Sequence, residues 1–348
     1  MTKIYYLYKE VKNAIIVLQN LISTSLEVIS LATNSARANN LAIEDKKKEL
    51  FRKIYRYKAF YIMIAPGIIF FLIFHYAPLY GIILAFKKFM YNQGITGSPW
   101  VGLDNFRVLM SDNEFWRAFK NTVIISLGKI LTGFPAPIIL SLLLNELRNQ
   151  KYKRVIQSIL YLPHFLSWII LSGLIFNMFS FTSGTLNKIL VGYLGLEPIK
   201  IIGNDKFFRP LVYLSHIWKT AGWGTIVYLA AISGIDPSIY ESAVIDGAGR
   251  FKQMIHITIP SLRYAIITLL ILDLGHVMNA GFDQIFNLYD PGTYNVGDII
   301  DTYVYRLGII SSKFEISTAV GLFKSIINCL FLITANSIIK RLGEEGLY

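Results

Sequence analysis

Long apolar runs separated by short polar segments dominate the pattern along this chain of 348 residues. A helix that crosses a bilayer needs ~20 mostly apolar residues, and six runs reach that length. Strands of a membrane barrel would instead alternate apolar and polar positions. The pattern therefore predicts an all-α, polytopic membrane protein with six core transmembrane helices, near residues 59–86, 121–144, 155–179, 211–232, 264–286 and 317–339.

A weaker apolar stretch at 13–33 precedes these runs and is interrupted by Gln19, Asn20 and Glu27. We interpret it as an amphipathic helix on the membrane surface, with an extra N-terminal span as the alternative. No small-residue cleavage site follows it, so it does not resemble a signal peptide. The expected organisation is a cytoplasmic or surface extension, 1–57, followed by a transmembrane domain, 58–348.

Composition agrees with a membrane protein. Hydrophobic residues make up 54% of the chain and charged residues 16%, whereas soluble proteins carry about 25% charged residues. The mean hydropathy is +0.48. These values argue against a soluble enzyme, a nucleic-acid-binding protein and a disordered chain.

The distribution of Lys and Arg predicts the orientation of the spans. Segments 34–58, 146–154, 234–263 and 340–348 hold 17 basic residues in 73 positions, and the other three inter-span segments hold 11 in 95. The denser set is expected in the cytoplasm, which places both ends of the six-span core on the cytoplasmic side of the membrane. The net charge of +12 thus reflects orientation, and no nucleic-acid partner is expected.

The sequence contains no recognisable motif for nucleotide binding, metal binding or catalysis. Gly128 and Lys129 are followed by Ile130, so no P-loop for ATP is present. The five histidines lack metal-ligand spacing, and Cys329 is the only cysteine. We therefore expect no catalytic residue, metal or cofactor on this chain. A membrane enzyme or scaffold is a disfavoured alternative, and an ion-coupled secondary transporter remains open although no internal repeat is evident.

The segment 234–262 is predicted to fold as a helix–turn–helix. Asp236 can cap the first helix with Pro237 at its first position, although Ser238 and Glu241 could form a capping box instead. Gly247 supplies the left-handed residue that ends a helix, and a second helix can follow. A structured element between spans is either a docking surface or a packed connector.

This segment resembles the EAA motif of binding-protein-dependent ABC importer permeases, EAAxxDGAxxxxxFxxIxLP. The sequence departs from the motif at Ser242, Met254 and Ile259. Seven other positions agree: Glu241, Ala243, Asp246, Gly247, Ala248, Ile257 and Pro260. Segments at 100–106, 161–168, 281–289 and 298–308 extend the resemblance to MalF-type carbohydrate importers, and more specifically to their LplB-like subgroup.

The resemblance implies a role for the loop and a set of partners. In this family the loop is a coupling helix that docks on an ATPase subunit, which assigns that role to Glu241, Ser242, Ala243, Asp246, Gly247 and Ala248. Asp246 would cap the second helix or pair with Arg250. The implied partners are a second homologous permease, two copies of a cytoplasmic ABC ATPase, an extracellular solute-binding lipoprotein and an oligosaccharide. ATP and Mg²⁺ would bind to the ATPases.

Polar residues inside the spans suggest a substrate path, because such residues usually face a cavity or a partner. In the fifth span Asp273, His276, Asn279 and Asp283 would share one helix face, as a path lining or as a seam with the partner permease. In the fourth span Trp218, Lys219 and Trp223 offer rings and donors for a sugar, although tryptophans are also common interface anchors. Lys129 would snorkel to the membrane surface, pair with an acid or line the path, and Lys324 is similar.

Overall fold

The computed structural model describes residues 52–341 and residue 343. Within them the chain is helical throughout, apart from loops and one antiparallel bridge between Lys87 and Trp100. The candidate helix at 13–33 lies outside the described residues, as does the predicted extension 1–57 apart from 52–57. The all-α prediction agrees with this architecture.

The main helices are α1 (Lys58–Phe71), α2 (Asp104–Ser111), α3 (Asn113–Gly133), α4 (Pro135–Asn145), α5 (Gln150–Tyr161), α6 (Trp168–Phe179), α7 (Thr185–Gly192), α8 (Asp205–Ser233), α9 (Pro237–Ile245), α10 (Arg250–Gln253), α11 (Arg263–Gly275), α12 (Phe282–Leu288), α13 (Ile300–Tyr305) and α14 (Phe314–Arg341). Single π turns occupy Leu72–Tyr76, Met254–Thr258 and Arg306–Ile310. Turns of 3₁₀ helix occupy Ala77–Phe86, Leu162–Phe165 and Pro291–Thr293. Short helical turns lie at Gly94–Gly97, Ile259–Ser261 and Tyr294–Gly297.

Two compact units divide the chain after Tyr80. The described part of the first unit is residues 52–80, which include α1, and none of the α1 side chains is buried. The apolar residues of this helix are exposed within the chain itself, as expected for a helix whose surroundings are lipid or another membrane helix. The remaining helices belong to the second unit.

The structure bends the third predicted span and places a second bend just before the fifth. Three described stretches are long and apolar enough to cross a membrane, Lys58–Phe86, Asn113–Asn145 and Phe314–Arg341. The third predicted span is bent by 101° between Phe165 and Trp168, and α11 is bent by 57° from the helix before it. If each bent pair is one span, the number is five.

Helix α8 contains the fourth predicted span and lies at the centre of the second unit. It runs for 29 residues, but its tryptophans, hydroxyl residues and Lys219 make it less apolar than the other spans. Its buried residues recur at helical spacing, which directs one face inward: Phe208, Val212, Ser215, Ala221, Gly222, Thr225, Tyr228 and Ile232. Membrane helices pack closely where residues are small, and Gly222 lies directly against Leu160 of α5.

A buried ion pair orders the segment between α12 and α14. The Arg306 guanidinium donates two 2.8 Å hydrogen bonds to the carboxylate of Asp298, which is fully buried. The Asn121 amide donates to the carbonyl oxygens of Asn295 and Asp298 at 3.1 Å. The hydrogen bond with Asp298 raises the pKa of Arg306. This segment is therefore fastened to the start of the second predicted span.

The contact at Gly222 generates a stability prediction. An added Cβ at Gly222 would overlap the Leu160 carbonyl, whereas one at Gly173 in α6 would meet nothing within 4 Å. Overpacking costs ~1–3 kcal/mol, so Gly222→Ala should lower the melting temperature in detergent by at least about 3 °C. Gly173→Ala is the matched control and should leave it unchanged or raise it. Equal melting temperatures for the two variants would contradict this packing.

Candidate functional site

The helix–turn–helix predicted at 234–262 begins with the expected cap. The Ser238 amide donates to Asp236 Oδ1 at 2.9 Å, and Pro237 is the first residue of α9. The backbone hydrogen bond lowers the pKa of the Asp236 carboxyl. Asp236 is thus the cap, and the alternative capping box from Ser238 to Glu241 does not form.

Gly247 ends α9 as predicted. Its φ of +76° is left-handed, and the Ala248 amide donates to the Ala243 carbonyl at 2.8 Å across the turn. An added Cβ at Gly247 would meet no atom within 4 Å. The need for glycine here is therefore one of backbone conformation and not of space.

The two halves of the loop are held together by polar contacts. The Tyr240 hydroxyl lies 2.9 Å from Thr258 Oγ1, and the Gln253 amide donates to the Ala248 carbonyl at 2.8 Å. Both roles predicted for Asp246 are wrong. The second helix begins at Arg250, and its cap residue Gly249 provides no side-chain cap. Arg250 instead pairs with Glu146, which directly follows α4, at 3.3 Å.

The loop presents an open surface within the chain. No residue of α9 is buried, and the exposed fraction of Ile245 is 86%. Of the six residues assigned to ATPase coupling, Glu241, Ser242, Asp246 and Gly247 are exposed, while Ala243 and Ala248 are half-buried. A rigid element with this exposed face is suited to transmit the movement of a docked partner.

A cavity of about 430 Å³ lies between α3, α4, α8 and α11. One stripe of α8 forms a wall, with His216, Thr220, Trp223 and Val227 spaced four, three and four residues apart. His164 reaches the cavity from the bend after α5, and its ring stacks on Trp223 with centroids 4.5 Å apart and planes within 3°. The cavity thus combines flat rings with hydrogen-bonding groups.

The predicted polar face of the fifth span is not a continuous helix. Helix α11 ends at Gly275, and the chain runs through turns and extended residues before α12 begins at Phe282. Gly281 has φ +91°, a conformation that favours glycine and interrupts the helix. The interpretation of Asp273, His276, Asn279 and Asp283 as one helix face is therefore wrong.

Three of those four residues nevertheless meet. Asp273 lines the cavity from the end of α11, and the turn after Gly275 brings His276 and Asn279 to the same wall. Asp283 is exposed in the first turn of α12 and does not line the cavity. Its separation is a direct consequence of the break.

Lys129 stabilises the non-helical segment between α11 and α12. Its ammonium donates to the Ala280 carbonyl oxygen at 2.5 Å, and the side chain is buried at the edge of the cavity. The Asn328 side-chain oxygen accepts from the Met278 amide at 3.0 Å. Lys129 therefore lines the cavity, one of its predicted alternatives, while it satisfies a backbone carbonyl.

The aromatic and basic residues of the fourth span have separate positions. Trp223 lines the cavity, whereas Trp218 does not and is half exposed. The Lys219 ammonium donates to the carbonyl oxygens of His164, at 2.9 Å, and Leu166. Lys219 thus stabilises the 101° bend instead of facing the cavity. Lys324 pairs with Asp301 at 2.5 Å.

Both histidines that contribute to the cavity from outside the fifth predicted span escaped the sequence reasoning. His216 could have been found, because it lies seven residues before Trp223 and shares its helix face. His164 follows Pro163 in a run that hydropathy treats as one helix. No spacing rule places it opposite Trp223, since the bend decides its direction.

Comparisons with known proteins identify the family of this chain. The family described as "Binding-protein-dependent transport system inner membrane component" matches residues 133–343. This chain is a permease of that family. The permease is a transport subunit of a binding-protein-dependent system and not an enzyme, and it is a multi-pass membrane protein.

Among its relatives, the permease is 42% identical to the polygalacturonan/rhamnogalacturonan transport system permease protein YteP of Bacillus subtilis, over 88% of this chain and 95% of YteP. It is 43% identical to protein LplB of the same organism, over 84% and 92% of the two chains. A solved bacterial ABC transporter involved in the import of the acidic polysaccharide alginate matches with a TM-score of 0.78 and 40% identity, over 85% of the permease and 100% of that chain. The predicted LplB-like resemblance is confirmed.

The turn at Gly247 generates a prediction about coupling. Alanine at φ +76° costs about 1–2 kcal/mol, so Gly247→Ala should displace α10 from α9 and lower ATP hydrolysis by the purified transporter several-fold. Gly249→Ala is the matched control, since Gly249 has φ −66° and equally open surroundings. The prediction fails if the two variants hydrolyse ATP at the same rate per permease.

Proposed function

We propose that this permease carries oligosaccharides through the cavity between α3, α4, α8 and α11. The cavity is the observation on which the proposal depends. Sugars present C–H faces that stack on rings and hydroxyl groups that need donors and acceptors. Trp223 and His164 supply stacked rings, while Asp273 and Asn279 supply acceptors.

The substrate class proposed is an oligosaccharide that contains uronic acid units. YteP is described as a transporter of polygalacturonan and rhamnogalacturonan, and the matching solved transporter imports alginate. The cavity suits a carboxylate, because Lys129 and the imidazoles of His164 and His216 can donate hydrogen bonds. If the permease carries a neutral oligosaccharide instead, the uronic acid class is rejected and the proposal of oligosaccharide transport is retained.

The proposed assembly contains a second homologous permease, two copies of a cytoplasmic ABC ATPase and an extracellular solute-binding protein. The matching alginate transporter has been solved in complex with its alginate pentasaccharide-bound periplasmic protein. In this proposal ATP and Mg²⁺ bind to the ATPases and none binds to this chain. Binding of ATP would favour one of two conformations, and α9 would transmit the closure to α8 and α11 as a rigid body.

The proposed orientation places α9 in the cytoplasm together with both ends of the six-span core. The exposed apolar face of α9, with Ile245 and Val244, supports docking on another protein. The segments 87–120, 180–209 and 287–317 would then face the outside, where the binding protein arrives.

Cross-linking from single cysteines tests the docking and the orientation. Cys329 is the only cysteine, so a Cys329→Ala background permits labelling at one chosen site. Ile245→Cys, at a position 86% exposed in α9, should carry a maleimide–benzophenone that captures a P-loop ATPase identified by mass spectrometry. Tyr193→Cys, at a position 87% exposed after α7, should capture no ATPase.

The same two variants distinguish the sides of the membrane. A membrane-impermeant maleimide added to intact protoplasts should label Tyr193→Cys and leave Ile245→Cys unlabelled. The reverse labelling would overturn the orientation. Uptake that continues after deletion of the ATPase subunits would favour an ion-coupled secondary transporter instead.

Competition between substrates tests the proposed class. The assembled transporter should take up tetragalacturonate in preference to maltotetraose, because only the former offers carboxylates to the cavity donors. His216→Leu should reduce this preference, since it removes a donor from the cavity wall, whereas His75→Leu in the first predicted span should preserve it. A preference for maltotetraose would refute the acidic class and retain the oligosaccharide.

A further inference from the structure

A second pocket lies on the far side of the helix break from the central cavity. It has a volume of about 350 Å³ and is formed by α13, the π turn after it, the start of α14 and the first residue of α12. Phe282, Tyr305 and Phe314 contribute rings to it, and Asp301 and Ser317 contribute polar groups. None of these residues belongs to the central cavity.

The rings on one wall are fixed from behind. The ring of Phe282 stacks on Phe286 with centroids 5.0 Å apart, and Tyr305 packs against both, at 5.7 Å and 5.1 Å. Across the pocket, Phe314 is backed by Phe89 at 5.8 Å. Rings immobilised in this way form a rigid platform, which lowers the entropy lost when a flat ligand stacks on it.

Polar groups are available beside the platform. One carboxylate oxygen of Asp301 accepts from the Lys324 ammonium at 2.5 Å. Its other oxygen and the Tyr305 hydroxyl make no hydrogen bond among the described residues. A pocket with apolar walls and a few convergent polar groups is typical of a small-molecule site. A pyranose could stack its C–H face on the rings and direct its hydroxyl groups to the polar groups beside them.

The two pockets are adjacent along the chain. Asn279 lines the central cavity and Phe282 lines the second pocket, and three residues span at most ~10 Å. The walls of the two pockets therefore lie within reach of one long oligosaccharide.

We propose that the pocket formed by Phe282, Asp301, Tyr305, Phe314 and Ser317 is a second sugar-binding subsite, which holds a pyranose unit of a long oligosaccharide outside the central cavity. The inference rests on the proposed function. It assigns this pocket to the substrate and not to a lipid chain or a helix of a partner. A disaccharide that fills the central cavity would leave the second pocket empty, whereas a longer chain could occupy both.

Chain-length selectivity tests the subsite. Hexagalacturonate and digalacturonate compete for uptake by the assembled transporter. Because every sample contains the same binding protein, its own preference for chain length does not affect the comparison between variants. Phe282→Leu and Tyr305→Leu retain apolar volume and remove the flat ring. Each should lower the hexamer-to-dimer uptake ratio by about three- to tenfold, as expected for the loss of one aromatic stacking contact.

Tyr193→Leu is the control, because this residue is an exposed aromatic that belongs to neither pocket. It should leave the ratio unchanged. An equal loss of uptake for both lengths in the Phe282 and Tyr305 variants would overturn the subsite and indicate a structural role for the rings. An unchanged ratio would overturn it in favour of a lipid or a partner helix as occupant.

The outcome also separates this inference from the proposed function. If the unmodified transporter takes up both oligogalacturonates and the variants keep its ratio, only the subsite fails. If it takes up neither these nor maltohexaose, the proposed function fails, and the subsite is rejected with it.

Discussion

Two breaks in the helices leave backbone groups without their helical partners, and polar side chains supply the missing hydrogen bonds. Lys129 donates to the Ala280 carbonyl, Asn328 accepts from the Met278 amide, and Lys219 donates to carbonyls at the bend before α6. In a region surrounded by hydrocarbon each unsatisfied group would cost several kcal/mol. Irregular backbone is therefore tolerated only where side chains or a cavity accommodate it.

The central cavity depends on these breaks. The bend before α6 turns His164 toward Trp223, and the turn after α11 carries His276 and Asn279 into the same space. Straight helices would present one residue in every three or four to a common point, whereas an unwound segment can present successive groups. Two lysines predicted as candidates for substrate contact therefore hydrogen-bond to the backbone. Lys219 does so outside the cavity, and Lys129 does so at the cavity edge.

The contrast between the loop and the spans shows what the sequence can predict. The cap at Asp236 and the turn at Gly247 were predictable because caps and left-handed turns depend on a few adjacent residues. The hydropathy of the run 264–286 does not predict its interruption. Hydropathy reflects the cost of burying each residue and contains no information about which carbonyl a distant lysine contacts. Lys129 and Ala280 are 151 positions apart, and only the packed fold brings them together. For the same reason Asp283 could not be separated from Asp273 by counting residues.

The burial of the Asp298–Arg306 pair has a consequence for the medium in which the protein works. Mobile ions screen exposed charges over about 8–10 Å at ordinary salt concentrations, but they screen a contact much less when one partner, here the Asp298 carboxylate, is fully buried. If this segment faces the exterior, as proposed, its conformation should depend only weakly on the salinity outside the cell.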